Sequence, residues 1–460
     1  MAKKKEAATP EQRLQEALVP CTEWPYKVPE NWCWVKLGSI NQYLGRSITP
    51  ANSPDETFEL YSVPSSAENF PEIVSGSEVG SSKQSVQKDD VLLCKINPRI
   101  NRVWKVSQHT DHTLLASSEW IIVRNPKLVS DYLMWVFKSN YFREYMLSNV
   151  SGVGGSLMRA QPKYVQSYPV PLPPLSEQQR IVERIENLFS QLDEAKEKAQ
   201  AALDSFEPRK AAILHRAFTG ELTAKWREEH GVGMESWKQL PINEVCSPRA
   251  GYAFDSKLFS NSGYRVIRMG NLFAGELDLS RNPVFYSTEN LDAKILKRAL
   301  INEGDILLTL TGTKYKRDYG YAVRIEHPNH LLVNQRILCL TPISIVSQYL
   351  LYFLRSDIFR DVFFSNETGG VSQGNVSSKF VENILVPVPS EIEQIEISNI
   401  LDSLLAKEQQ AKEAAEAVLE QIDLVKKAIL SRAFRGELGT NDPSEKSAVE
   451  LLKEIFAKKG

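Results

Sequence analysis

Val170-Pro171-Leu172-Pro173-Pro174-Leu175-Ser176-Glu177-Gln178 returns 216 positions later as Val386-Pro387-Val388-Pro389-Ser390-Glu391-Ile392-Glu393-Gln394. From there the same offset holds without a gap. Ile181 meets Ile397, Ala212-Ile213-Leu214 meets Ala428-Ile429-Leu430, and Arg216-Ala217-Phe218 meets Arg432-Ala433-Phe434. Gly220-Glu221-Leu222 meets Gly436-Glu437-Leu438. Upstream the likeness fades while the spacing barely moves: Pro126 with Pro342, Tyr132-Leu133 with Tyr349-Leu350, Asp90-Val91-Leu92-Leu93 with Asp305-Ile306-Leu307-Leu308. The chain is therefore one unit written twice. Two frames have stayed alike while the globular stretches between them, near 20–170 and 234–386, have drifted apart. That pattern is expected when the two globular parts do the same job on different targets.

Behind each Val-Pro-x-Pro run lies a helical segment. In the first, Ile181, Ile185, Leu188, Leu192, Ala195, Ala199, Ala202 and Phe206 alternate steps of four and three, an a/d seam. The second repeats the phase with Ile397, Leu401, Leu404, Glu408, Ala411, Ala415, Val418 and Ile422, failing only at Glu408. Forty helical residues reach about 60 Å. Two equivalent apolar stripes in one chain bury each other best by pairing about a pseudo-two-fold axis, antiparallel. Ser176 and Ser390 are the candidate N-caps. Pro208 is placed to kink the first helix, and its counterpart is Leu424. Thr9-Pro10-Glu11-Gln12 reads as a capped short helix, and Val449, Leu452 and Phe456 as the apolar face of another, expected to pack near the first lobe or on a partner.

Cationic residues number 55 and anionic ones 57 in 460, a net charge of -2, which excludes a uniformly basic nucleic-acid protein and requires any such role to rest on local charge. No run approaches the ~18 apolar residues of a membrane span, and the N-terminus does not read as a secretory signal. The cysteines (Cys21, Cys33, Cys94, Cys246, Cys339) are odd in number and never Cys-x-x-Cys, which predicts reduced thiols in a cytoplasmic protein.

No phosphate loop, nucleophile elbow, zinc-protease motif or Asn-Pro-Pro-Tyr methyltransferase motif occurs. His109-Thr110-Asp111-His112 and His327-Pro328-Asn329-His330 read as turns rather than zinc sites, since neither has further ligands nearby. Matched basic loops stand out instead. After the strand-like Val91-Leu92-Leu93 come Lys95, Asn97, Arg99, Asn101, Arg102, Trp104 and Lys105; after Ile306-Leu307-Leu308 come Lys314, Tyr315, Lys316, Arg317 and Tyr319. Lys and Arg pair with phosphates, while Arg and Asn also read base edges. A second polar loop precedes each helical segment: Ser151-Gly152-Val153-Gly154-Gly155-Ser156 with Arg159 and Lys163 after it, and Thr368 to Asn375, holding Gln373 and Asn375, with Lys379 after it. Lys83 and Gln84 form a third candidate; Arg268 and Asn271 are weaker ones.

The doubled layout, with its Val-Pro-x-Pro start, its Glu-Gln step (Glu177-Gln178, Glu393-Gln394) and its Ala-Phe-x-Gly-Glu-Leu finish (Ala217 to Leu222, Ala433 to Leu438), resembles the DNA-specificity subunit of a type I restriction–modification system. The resemblance implies an α+β protein in which two α/β target-recognition domains are joined by two long helices forming an antiparallel coiled coil. The expected segments are a tail with a short helix (1–19), a first recognition domain (20–170), a spacer helix (171–233), a second recognition domain (234–386), a second spacer helix (387–439) and an amphipathic tail (440–460). The resemblance further implies double-stranded DNA as ligand, two methyltransferase subunits and restriction motor/nuclease subunits as partners, and no catalysis, cofactor or metal in this chain. S-adenosylmethionine would belong to the methyltransferase, ATP and magnesium to the motor. Two readings compete with it: a protein–protein adaptor with two lobes on a coiled-coil strut, and an unusual methyltransferase.

Overall fold

A computed structural model describes residues 9–151, 158–370 and 372–457; the glycine-rich run 152–156 lies outside the described residues. The chain divides into two compact units, 1–199 with 417–460, and 200–416. No helix among the described residues is long and apolar enough to cross a membrane.

In the first unit the Val-Pro-Leu-Pro run is a strand, Pro169–Leu172, antiparallel to Cys33–Lys36 with Val35 opposite Val170. The buried strand Val91–Cys94 lies between Val103–Lys105 and Trp120–Val123. Above this frame sits a five-stranded mixed sheet that includes Thr57–Tyr61 and Thr113–Ala116, a parallel pair. The second unit repeats the frame: Leu385–Val388 pairs with Lys238–Pro241, and Ile306–Thr309 lies between Ala322–Arg324 and Ile337–Pro342. Its other sheet has four strands instead of five and likewise holds a parallel pair, Tyr264–Ile267 with Leu331–Val333.

The matched aspartates explain themselves here. Buried Asp90 accepts from Gln87 N (2.9 Å) and from both arms of Arg124; buried Asp305 accepts from Asn302 N (2.8 Å), Thr341 Oγ1 and Arg249. Each carboxylate closes the turn that launches the central strand. The His109–His112 turn has an internal purpose too: His109 N, Thr110 N and Thr110 Oγ1 donate to the buried Glu59 carboxylate. Among the described residues no His/Cys/Asp/Glu group is arranged to hold a metal ion.

The long helices run antiparallel in each unit. In the first, Glu177 meets Thr440 while Asp193 meets Lys426; in the second, Arg209 meets Glu408 while Thr223 meets Glu393. The first helix is Leu175–Asp204, with Phe206–Phe218 following a break at Ser205, because Pro208 has no N–H to offer the Asp204 carbonyl. With Leu424 in that place the second runs unbroken over Glu391–Ala433.

Two expectations need correction. Ser390 does cap, accepting from Glu393 N, but Ser176 already lies inside its helix and its hydroxyl bonds Glu445. The double proline moves the helix start back: Gln178 N already donates to the Pro174 carbonyl. The seam also slips by one residue. Ala202, Ala411 and Val418 are exposed, and Leu203, Lys412 and Leu419 turn inward instead. Each helix takes one extra four-residue step (195-199-203 and 404-408-412), which absorbs the mismatch between a 3.5 repeat and 3.6 residues per turn. Glu408, the apparent flaw in the repeat, receives Arg209 at 2.8 Å, and Lys412 lies over the Phe206 ring.

The Glu-Gln motif is a lock. Gln178 accepts from Val129 N and donates to Pro173 O; Gln394 accepts from Val346 N and donates to Pro389 O. The adjacent glutamates are fully buried and turn the other way. Glu177 takes Thr440 Oγ1 (2.7 Å) and Arg180; Glu393 takes Thr223 Oγ1 (2.8 Å), Arg227 (2.8 Å) and Trp237 Nε1 (3.0 Å). The start of each helix is thus tied to the threonine just past the Gly-Glu-Leu finish of the other.

Thr9 and Gln12 make the expected capping box, and the last helix, Ala448–Ala457, buries Leu452, Ile455 and Phe456 in the first lobe's core beside Ala17 and Trp32. Cys21 is exposed and the other four thiols are buried, with burial pushing Cys33 and Cys246 up to about 12. Native alkylation at pH 8 is expected to label Cys21 alone; mass spectrometry finding fast modification of Cys33 would show that its strand opens.

Candidate nucleic-acid interface

In both lobes the basic loop and the polar loop meet edge to edge. Ile96 bridges Arg159, Asn97 N donates to Met158 O and Ala160 N to Lys95 O. In the second lobe Thr311–Gly312 pairs with Gly374–Asn375, Thr311 opposite Asn375. These are the same contacts carried forward by the repeat. Each loop is further clamped by a short helix of its own lobe, Asn140–Ser148 in the first and Asp357–Ser365 in the second: Arg143 donates to the Arg99 carbonyl, Arg360 to that of Arg317.

Local shape comes from left-handed backbone, at asparagines that tolerate it in the first lobe and at Tyr315 and Arg317 in the second. Asn97 and Asn101 adopt φ of 49° and 52°, flanking the turn Pro98–Ile100. Tyr315 and Arg317 adopt φ of 66° and 51°, which throws Tyr315 outward, 80% exposed, with Lys314 Nζ over its ring. Gly312 is needed because a Cβ would lie 2.6 Å from the Tyr319 ring.

The family model described as "Type I restriction modification DNA specificity domain" matches residues 29–203 and again 234–421. The chain belongs to this family. Among its relatives, the specificity subunit of the type I restriction enzyme EcoKI from Escherichia coli (strain K12) is 24% identical over 391 residues, 82% of each chain. That of MjaVIII from Methanocaldococcus jannaschii is 24% identical over 90% of this chain and 94% of its own. The HsdS subunit from Thermoanaerobacter tengcongensis superposes with a TM-score of 0.68 at 20% identity, over 91% of this chain and all of that one. A structure concerned with assembly and conformational transition of a type I system gives 0.66 at 20% identity, over 90% of this chain and all of that one. The chain is thus a DNA-specificity component, not a catalytic subunit, and its α+β fold is that of the HsdS structures.

The family's doubled domain places the two loop pairs at corresponding points, but their side chains differ in availability. Lys316 and Lys379 are exposed; Lys95 and Arg102 are half-buried beside the loop. Arg99 is exposed near Asn97 Oδ1, and Lys163 lies over Tyr164. Lys314 Nζ reaches the Gly369 carbonyl across the two loops. Arg159 pairs with Glu119 (3.2 Å), and Arg317 with Asp361 (3.0 Å). Such exposed pairs are worth about 0–1 kcal/mol, so a phosphate competes for the arginine at little cost.

Other candidates are spent inside the lobe. Gln84 donates to the Ser117 and Trp120 carbonyls, Asn101 to Lys138 O, and Lys105 pairs with Asp131 at 2.6 Å. Lys83 is held by Ser81. Asn271 is buried and staples its loop through Arg268 N, Asp278 O and Arg281 O. The matched aromatics Trp104 and Tyr319 are core anchors, 4% and 1% exposed, not stacking platforms.

One feature of the second lobe escaped the sequence reading. A cleft of about 350 Å³ is lined by Arg268, Arg281, Asn282, Asn334, Gln335 and Arg336, and continues past Arg336 to Thr311, Gly369, Gln373 and Asn375. Its signal was available: Asn334-Gln335-Arg336 interrupts two buried runs, Leu331–Val333 and Ile337–Leu340, with three polar residues.

Proposed function

We propose that each lobe reads one half of a bipartite DNA site, that the antiparallel helices set the distance between the halves, and that the helical frame docks two methyltransferase subunits. The carrying observation is the repeated apposition of a basic and a polar loop, Ile96 against Arg159 and Thr311 against Asn375. Divergent lobes imply two different half-sites. S-adenosylmethionine then belongs to the methyltransferase, ATP and magnesium to a restriction motor joined to the assembly. Family membership and the basic loops favour this reading over a protein–protein adaptor.

The test uses the assembled complex. The pair Arg99→Ala and Arg102→Ala should affect one half-site, and Lys314→Ala with Arg317→Ala the other. A base reader is expected to lose about 1–3 kcal/mol and relax one position; a phosphate contact weakens all sequences alike and lowers the salt slope by about one. Methylome sequencing and salt-dependent DNA binding give the two readouts. All four changes leaving both untouched would remove these loops from the interface; salt-insensitive DNA association by the wild type would return the adaptor reading.

A further inference from the structure

Resting on the reading that the second lobe recognises DNA, we propose that Arg336, with Gln335 beside it, reads base edges of that lobe's half-site, Arg336 taking a guanine through O6 and N7.

Gln335 and Arg336 occupy a three-residue corner where the chain leaves one sheet at Val333 and joins the other at Ile337. The corner's backbone is pinned on every side. Asn334 N donates to Ile267 O, Gln335 N to Tyr252 O, and the Arg336 carbonyl accepts from Leu310 N, all within 3.0–3.1 Å. Asn334 closes the corner on itself, its Oδ1 accepting from Gln335 N at 2.6 Å and its carbonyl from Ile337 N. Gly251 lets the neighbouring strand pass so closely that a Cβ there would lie 2.1 Å from the Asn334 oxygen. A backbone this fixed still carries two exposed polar side chains. Groups held on rigid elements lose little freedom on binding, which is what selective recognition requires.

Electrostatics separates Arg336 from the cations around it. Arg317 has Asp361, and Arg268 donates to the Asn282 carbonyl. The Arg336 guanidinium has no hydrogen-bond or ion-pair partner among the described residues. It stands where three adjoining clefts meet, and the one carboxylate lining them, Asp318, is engaged by Thr313 N at 2.7 Å. Five donors in a planar fork facing an acid-poor cleft match the paired acceptors of guanine in the major groove; a neighbouring glutamine matches adenine N6 and N7. The first lobe builds the same corner from Ser117-Ser118-Glu119, pinned by Ser117 N on Tyr61 O and Lys95 N on Glu119 O, but a carboxylate stands there in place of Arg336, and it holds Arg159.

Arg336→Ala and Arg336→Lys are compared with wild type in the assembled complex, by methylome sequencing and by binding to a set of single-base variants of the wild-type motif. The half-site belonging to the second lobe is the one altered by Lys314→Ala with Arg317→Ala. Expected for Arg336→Ala is a loss of discrimination on the order of tenfold to a hundredfold at one base pair of that half-site, the other half being unchanged. Arg336→Lys keeps the charge and loses the fork, so the same position should relax while the salt slope stays near wild type. Gln335→Ala should relax the adjoining base pair. Uniform weakening of all sequences with a lowered salt slope would make Arg336 a phosphate contact and overturn the proposal, as would relaxation in the first half-site or no change. A wild-type complex without sequence preference would instead fail the underlying DNA reading, and it is recognised before any variant is compared.

Discussion

Glu393→Ala is expected to destabilise the second unit by about 3–5 kcal/mol, because it strands a buried guanidinium. Arg227 is only 8% exposed and its ion-pair partner is Glu393, which also receives Thr223 and Trp237. Removing the carboxylate leaves those donors in a site that water enters poorly. The matched change Glu177→Ala should cost far less, about 1–2 kcal/mol, the loss of hydrogen bonds rather than of a buried charge's partner. Arg180 is 36% exposed and keeps Glu445 at 2.8 Å. Burial holds the Glu177 carboxyl above its usual range in spite of Thr440 and Arg180, so its ionised form adds little there. Urea midpoints, with amide exchange over residues 223–237 and 438–445 to assign the unit affected, make the comparison. Equal small losses would mean that the Glu-Gln step is retained for something other than this lock.

That lock also explains what could be read in advance. The frame was legible because its packing is local or repeated. A helical seam, a proline strand and a Glu-Gln step all write themselves into short spacings, and the duplication shows each spacing twice, although what the step ties down, Val129 to Gln178 and Thr440 to Glu177, lies far off in sequence. Even so, the seam was legible only to within a residue, since a strict heptad extrapolates past the point where a real helix takes its extra step, putting Ala411 and Val418 where Lys412 and Leu419 lie. The interface was less legible for a different reason. Charge can be counted in sequence, but its availability depends on what sits across space: Asp131 is 26 residues from Lys105, Glu119 is 40 from Arg159 and Asp361 is 44 from Arg317. Gln84 looked like a surface amide until two carbonyls more than 30 residues away claimed it. Arg336 was overlooked for the converse reason. It is a lone cation between buried strands, with no run around it, and its worth lies in a corner built from backbone contacts to Ile267, Tyr252 and Leu310.

Inserting one heptad into both long helices is expected to move the two half-sites apart while leaving each unchanged. The insertions belong after Asp193 and before Lys426, which face each other in the first unit, so that both strands of the antiparallel pair lengthen together. Seven residues add about 10 Å at 1.5 Å each. At 3.4 Å per base pair that is a spacer up to about three base pairs longer in the methylated motif. The whole heptad matters because it returns the apolar seam to within about 20° of its original face, whereas a single added residue turns everything beyond it by about 100° and presents the charged face to the partner helix. The one-residue insertion should therefore lower stability and assembly without defining a new spacer, and an insertion in one helix alone should behave the same way. Methylome sequencing of a host carrying the doubly extended chain reads the result directly. An unchanged spacer together with normal methylation would mean that the helices do not set the distance, and the half-sites would have to be positioned by the methyltransferase subunits instead.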